Sequence, residues 1–430
     1  MAEPQPPEGV GDGDVKPTDT GVVTVLRRLA GFAIFPLLAL VVPFLLMPVI
    51  GHVVGDAGWS SAMSGQVIGT IASVVIQWGW NVDGTVQIAT ATSAAERAAI
   101  YARSVRTRLL LTVIVVPLAV ALAGFVVAPA FWLDASAMTI AYAMMGLSPA
   151  WYCIGIGRPA LLGIYDTLPR FVATAVAAPA VFYADALWPF PVLMVATTAV
   201  TMTAFQRRFA EGEPWLPTRL GQTFHDLREQ RHTAGINLAG QVYAQTPTPI
   251  ATRTLSPLES GTLASADVLY RLGLFSVVAL GNAFQGWTLE PHIANRRQRH
   301  LAAMGAHVVL GVAGIVVLVV AGPPVSALMS GSAAVATTSL CLYYGCAFAF
   351  LSAATPLIRN LLIPAGRQPL VLRVTVIAAI LGVTVMVAAG LAAWTDGIAI
   401  GMALSELAML LLLLPPALKI LNQEGRHGGN

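Results

Sequence analysis

The stretch SADVLYRLGLFSVVALGNAFQGW, residues 265–287, is apolar over a length that can cross a bilayer, yet it carries Asp267 and Arg271 one helical turn apart. The whole chain shares that apolar character. Hydrophobic residues make up 56% of the 430 and charged residues 10%, with a mean hydropathy of +0.73, whereas soluble domains carry roughly 25% charge. The composition is that of an all-α, polytopic membrane protein. A net charge of +3, with no stretch that interleaves basic and aromatic residues, argues against nucleic acid as a partner. Cys153, Cys341 and Cys346 lie in apolar runs without metal-ligand spacing, so they read as packing residues, and no metal site or cofactor is expected.

Outward from residues 265–287, windows of about 20 apolar residues recur. They fall at 29–50, 62–82, 108–131, 137–157, 171–187, 190–206, 234–252, 261–287, 302–321, 335–356, 371–393 and 398–418. Charge tests this count of twelve independently. With the N-terminus in the cytoplasm, all but two of the 24 basic residues fall on inside segments, and the short outer linkers GHVVGDAGWSS, WLDAS, DALWPFP, GPPVSALMSGSAA and AWTDG hold none. Both termini are therefore expected to be cytoplasmic. The polar segment near 206–233 divides the windows into two sets of six. This gives a disordered Pro, Gly and acid-rich tail (1–25), a first six-helix lobe (26–206), a cytoplasmic linker acting as a hinge (207–233), a second lobe (234–420) and a short cytoplasmic tail (421–430). Pro48 before GDAGW and Pro249 before LESGT suggest that the lobes are related by an axis along the membrane normal.

The two basic residues that break the rule are Arg253 and Arg271. Counted from an outer boundary near Ser260 at about 1.5 Å per residue, Arg271 lies roughly 16 Å deep, too far in to snorkel. Asp267 at i−4 is placed to pair with it. Two readings stand: an ion pair that ties helix eight to a neighbour, or a fixed cation offered to an anionic substrate with Asp267 as its resting partner. Arg253, near the outer interface, could snorkel, pair with Glu259 or meet substrate. In the seventh window Asn237, Gln241 and Gln245 form an i, i+4, i+8 stripe, interrupted by Pro247 and Pro249. In the second, Ser73, Gln77 and Asn81 repeat the device below Gln66, and Gly65 and Gly69 form a small-xxx-small pair. Such stripes face either another helix or a wet cavity. Glu406 is a further intramembrane acid, either a packing carboxyl or a coupling site for H+ or Na+.

No P-loop, GxSxG or HExxH is present, and the outer linkers are too short to hold the loop-borne site of a lipid-dependent glycosyltransferase. The order of features resembles the bacterial polysaccharide flippases of the multidrug/oligosaccharidyl-lipid/polysaccharide exporter superfamily. Three stretches carry the resemblance: PVIGHVVGDAGWSSAMSGQVIGTIASVVIQWGWNVDGTVQIATA after the first window, LSPAWYCIGIGRP at the end of the fourth, and LESGTLASADVLYRLGLF entering the eighth, where Leu263 stands in place of the family's aromatic. The resemblance implies two lobes around a cationic cavity, helices one and two facing seven and eight, and alternate opening to each side. It also implies a transporter of the bacterial inner membrane rather than an enzyme, with an anionic lipid-linked glycan as substrate, its tail left among membrane lipids, and glycosyltransferases or a glycan polymerase as partners. On that reading Arg271 meets the diphosphate, while Gln and Asn meet sugar hydroxyls. An ion-coupled multidrug antiporter of the same superfamily and a membrane-embedded glycosyltransferase are the rival readings.

Overall fold

The computed structural model describes residues 22–210, 212–214, 220–231, 234–235, 238, 243–288, 296–330 and 334–427, with side chains from Leu46 onward except 159, 220, 283, 285–287 and 424–427. The N-terminal tail, Asn237, Gln241, most of the seventh window and part of the linker lie outside the described residues.

The described residues are helical almost throughout, and ten segments are long and apolar enough to cross a membrane. This is a multi-pass membrane protein. The elements are α1 (Val22–Gln77), α2 (Ala94–Val126), α3 (Pro129–Gly155), α4 (Ala160–Ala184), α5 (Pro189–Phe209), α6 (Leu220–Glu229), α7 (Pro247–Thr254), α8 (Pro257–Thr288), α9 (Arg296–Ser330), α10 (Thr338–Leu362), α11 (Gln368–Leu391) and α12 (Thr395–His427). Gly55, at φ 64° and ψ 178°, breaks α1 into two arms, so this element supplies the first and second windows together. Only glycine takes that backbone geometry without strain.

α1 to α5 form one lobe and α7 to α12 the other, with α1 carrying most of the contact between them against α7, α8 and α9. Within the first lobe, α1 lies hard against α3. A Cβ added to Gly65 would sit 2.2 Å from the Ala135 carbonyl oxygen, and one added to Gly69 would sit 2.5 Å from that of Thr139. The Thr139 hydroxyl crosses the contact to the Gly65 carbonyl at 3.1 Å. Because the obstacle is backbone, Gly65→Ala is expected to cost about 1–3 kcal/mol by overpacking. A clear fall in the denaturation midpoint should follow, whereas Gly221→Ala, where a Cβ meets nothing within 4 Å, should leave it in place. Equal midpoints for the two variants would refute this packing.

The lobes are stitched together at the ends that the charge asymmetry places outside. Ser260 donates to Ser60 at 2.9 Å, Ser64 to Thr252 at 2.8 Å, Thr252 to the Ser60 carbonyl at 3.2 Å, and Trp59 Nε1 to Ser265 at 3.0 Å. Small hydroxyls let the helices approach closely while satisfying each other in a dry setting. Beyond this seal, deeper along α1 and α8, lies a cavity of about 510 Å³. The linker contacts the first lobe: Trp78 Nε1 donates to the Leu227 carbonyl of α6 at 2.8 Å, and Arg106 to that of Pro214, ahead of α6, at 2.7 Å.

Candidate functional site

The cavity lies between the lobes. Its wall includes Gln66, Thr70, Tyr142, Thr167, Arg170, Thr174, Gln245, Tyr270 and Arg271, set among Met, Val, Leu and Phe side chains.

Arg271 is the best-anchored group on it. Pro247 starts α7 as its first-turn proline, which ends the preceding segment in a 3-10 turn at Tyr243–Gln245. That turn aims the Ala244 carbonyl and the Gln245 side-chain oxygen at α8. Arg271 donates to both, with Nη2 2.9 Å from Ala244 O and Nη1 on Gln245 Oε1. Its Nε and Nη2 also reach Asp267 Oδ2, at 2.9 and 2.8 Å, and Thr248 donates to the same oxygen at 2.7 Å. Asp267 is wholly buried behind, and Arg271 is partly open towards the cavity. Asp267 Oδ1, Tyr270 Oη and Tyr344 Oη are buried without a hydrogen-bond partner among the described residues, and the two tyrosine rings lie 5.5 Å apart.

The same turn leads to Glu406 on α12, which is fully buried. Tyr243 Oη donates to its Oε1 at 2.9 Å, and its Oε2 has no partner among the described residues. Glu406, Tyr243, the turn, Arg271, Asp267 and Thr248 therefore form one connected polar path across the second lobe. Paths of this kind polarise link by link in a low-dielectric interior.

Arg271 and Asp267 pair as their spacing suggested and Gln245 joins them, while Asn237 and Gln241 of its stripe lie outside the described residues and three other expected residues sit elsewhere. The second stripe does not run on to Asn81: α1 ends at Gln77, because Trp78 and Gly79 take φ values of 44° and 84° and the chain continues in a π-turn at Trp80–Gly84. Neither Gln77 nor Asn81 lines the cavity; Gln66 and Thr70, two to three turns earlier on α1, do. Arg253 is exposed and stacks over Phe125 of α2, its guanidinium carbon 5.3 Å from the ring centroid. Glu259 does not pair with it, because its carboxylate accepts from the Ser256 backbone N–H and hydroxyl at the start of α8, a capping box.

Arg170, on the first-lobe wall, was counted among the inside basic residues by the charge pattern. It lies on α4, which begins at Ala160, and bonds to buried Asp166 one turn earlier. The signal was in the sequence, since Asp166 and Arg170 have the same i, i+4 spacing as Asp267 and Arg271.

No family model matches the sequence, and no curated protein matches it. Solved structures do. The lipid II flippase MurJ in an inward closed conformation is similar over 91% of this chain and 87% of its own, with a TM-score of 0.68 at 10% identity. An inward-facing multidrug resistance MATE family transporter of the MOP superfamily gives 0.62 at 12% identity over 92% and 99%. The eukaryotic MATE transporter AtDTX14 gives 0.56 at 14% identity over 94% and 98%. At these identities the likeness concerns the fold: this chain has the two-lobed helical fold seen in MurJ and the MATE transporters.

Proposed function

We propose that this chain is a flippase that carries a polyprenyl-diphosphate-linked oligosaccharide from the cytoplasmic to the outer leaflet of the bacterial inner membrane by alternating access. The observation that carries the reading is Arg271, a guanidinium fork fixed by three acceptors on the wall of the inter-lobe cavity. Such a fork suits bidentate, charge-assisted bonds to phosphate oxygens. Gln66, Thr70 and Gln245 supply donors and acceptors for sugar hydroxyls, and the lipid tail stays in the bilayer. The fold likeness to a lipid II flippase supports the transport class. The glycosyltransferases and polymerase that build and use the glycan are the natural partners.

Glu406 gives weight to a second reading. A fully buried carboxylate with an unpartnered oxygen, one residue contact from the Arg271 turn, suits a site for a coupling H+ or Na+, as an ion-driven antiporter would need.

Translocation of a fluorescent polyprenyl-diphosphate sugar across proteoliposomes tests the proposal. Wild type and Arg297→Ala are expected to translocate, and Arg271→Ala to fall to background. Normal translocation by folded Arg271→Ala would refute it. Dye efflux that follows an imposed ion gradient and is lost in Glu406→Gln would favour the antiporter.

A further inference from the structure

The first lobe carries its own arginine jaw. On α4 the π-turn Gly163–Thr167 is followed directly by helix, so Asp166 and Arg170 stand one turn apart. Asp166 is buried and accepts from both Arg170 and the Ser148 hydroxyl; Arg170 is about one-third exposed and lines the cavity. The second lobe has the same construction from different helices. There Asp267 is buried, accepts from Arg271 and from the Thr248 hydroxyl, and leaves the arginine in front. Each hydroxyl precedes a proline, Pro149 or Pro249. The first pair lies on α4, just before the fifth window, and the second in the eighth window; these are not equivalent positions in the half-folds, so the parallel is chemical rather than a relic of duplication.

Behind the first jaw, Arg108 is wholly buried off the cavity wall and donates to the carbonyls of Ser148 at 2.8 Å, Gly146 at 3.3 Å and Ser104 at 3.3 Å, with Trp151 beside it. It holds the turn whose Ser148 hydroxyl donates to Asp166.

We infer that Arg170 and Arg271 form a two-jaw clamp, one from each lobe, that holds the two phosphoryl groups of a lipid diphosphate and so selects diphosphate over monophosphate lipids. This rests on the flippase reading above. A diphosphate can offer one phosphoryl to each fork and draw the lobes together across the cavity. A monophosphate satisfies one fork and leaves the other with only its own aspartate. Asp166 and Asp267 hold the forks aimed while the cavity is empty.

The test is equilibrium binding of a polyprenyl diphosphate and the matching polyprenyl monophosphate to the purified full chain in nanodiscs, with inorganic diphosphate as a third ligand. Wild type is expected to prefer the diphosphate lipid. Arg170→Gln should lower its affinity by about ten- to a hundredfold, the worth of a charge-assisted contact, while the monophosphate stays within about threefold. Arg170→Lys, which keeps the charge and the Asp166 pair but loses the fork, should retain part of the preference. Because the readout is a ratio between two lipids, partial misfolding lowers both affinities and leaves the ratio. A preference unchanged in both Arg170 variants, or an equal loss for both lipids, would overturn the clamp while leaving the flippase reading intact. If wild type binds neither lipid, both fall. If inorganic diphosphate binds as tightly as the lipid and both depend on Arg170, the clamp stands and the lipid does not.

Discussion

A chain carrying Ser60→Cys and Ser260→Cys is expected to translocate normally when reduced and to stop when oxidised. The two hydroxyl oxygens are 2.9 Å apart in the outer seal, and both side chains are buried between α1 and α8. Sulfurs placed there come within reach of a bond of about 2.05 Å with modest adjustment of the side chains. Alternating access requires the lobes to part at this end, and the seal that must open is a few neutral hydrogen bonds, each worth about 0.5–1.5 kcal/mol net. A covalent link is beyond what ligand binding can break, so turnover falls to background and a reductant restores it. The three native cysteines are free, so loss of the two added thiols reports the cross-link directly. Wild-type transport by a chain shown to be fully cross-linked would mean that the lobes do not separate here. Oxidised Ser60→Cys alone, with no partner, serves as the control.

The seal, the cavity and the topology were not equally legible in the sequence. The spans were, because length and hydropathy act through the bilayer and do not depend on which helix touches which. Ten of the twelve windows match a segment long and apolar enough to cross a membrane, the first is covered by α1, and the kink at Gly55 falls between the first two. The close approach at Gly65 and Gly69 was also visible, since two glycines one turn apart leave a groove whatever fills it. The stripe failed at Asn81 because one left-handed step at Trp78 and Gly79 ends the periodicity that any stripe assumes. Arg170 was absorbed by the charge rule: a basic residue near an inside loop needs no further explanation until its Asp166 partner is seen. The row of Ser and Thr in the seal gives no sequence signal, because hydroxyls in membrane helices satisfy their own backbone as readily as a neighbour.

Asp267 decides what the charged pair in residues 265–287 is for, and a double-mutant cycle is expected to separate its two roles. Asp267→Leu removes the carboxylate that takes Thr248 and two nitrogens of Arg271, leaving a cation in a nearly dry wall with only Gln245 and the Ala244 carbonyl. Breaking one side of such a pair should destabilise the chain by about 3–5 kcal/mol. Arg271→Met alone strands Asp267 and should cost a comparable amount. The pair replaced together, Asp267→Leu with Arg271→Met, should regain most of that loss, since apolar side chains of similar size can fill the space of a buried ion pair with little penalty. Stability by denaturation in detergent measures the first role and transport the second. If the double variant is nearly as stable as wild type yet does not translocate, the pair is kept for the charge it offers the cavity rather than for holding the lobe together. If it is stable and transports at the wild-type rate, the pair is structural and substrate recognition lies with Gln66, Gln245 and Arg170. If the double variant is as unstable as the sum of the singles, the two residues are not coupled, and the hydrogen-bond geometry that joins α7 to α8 is not the one that holds in the membrane.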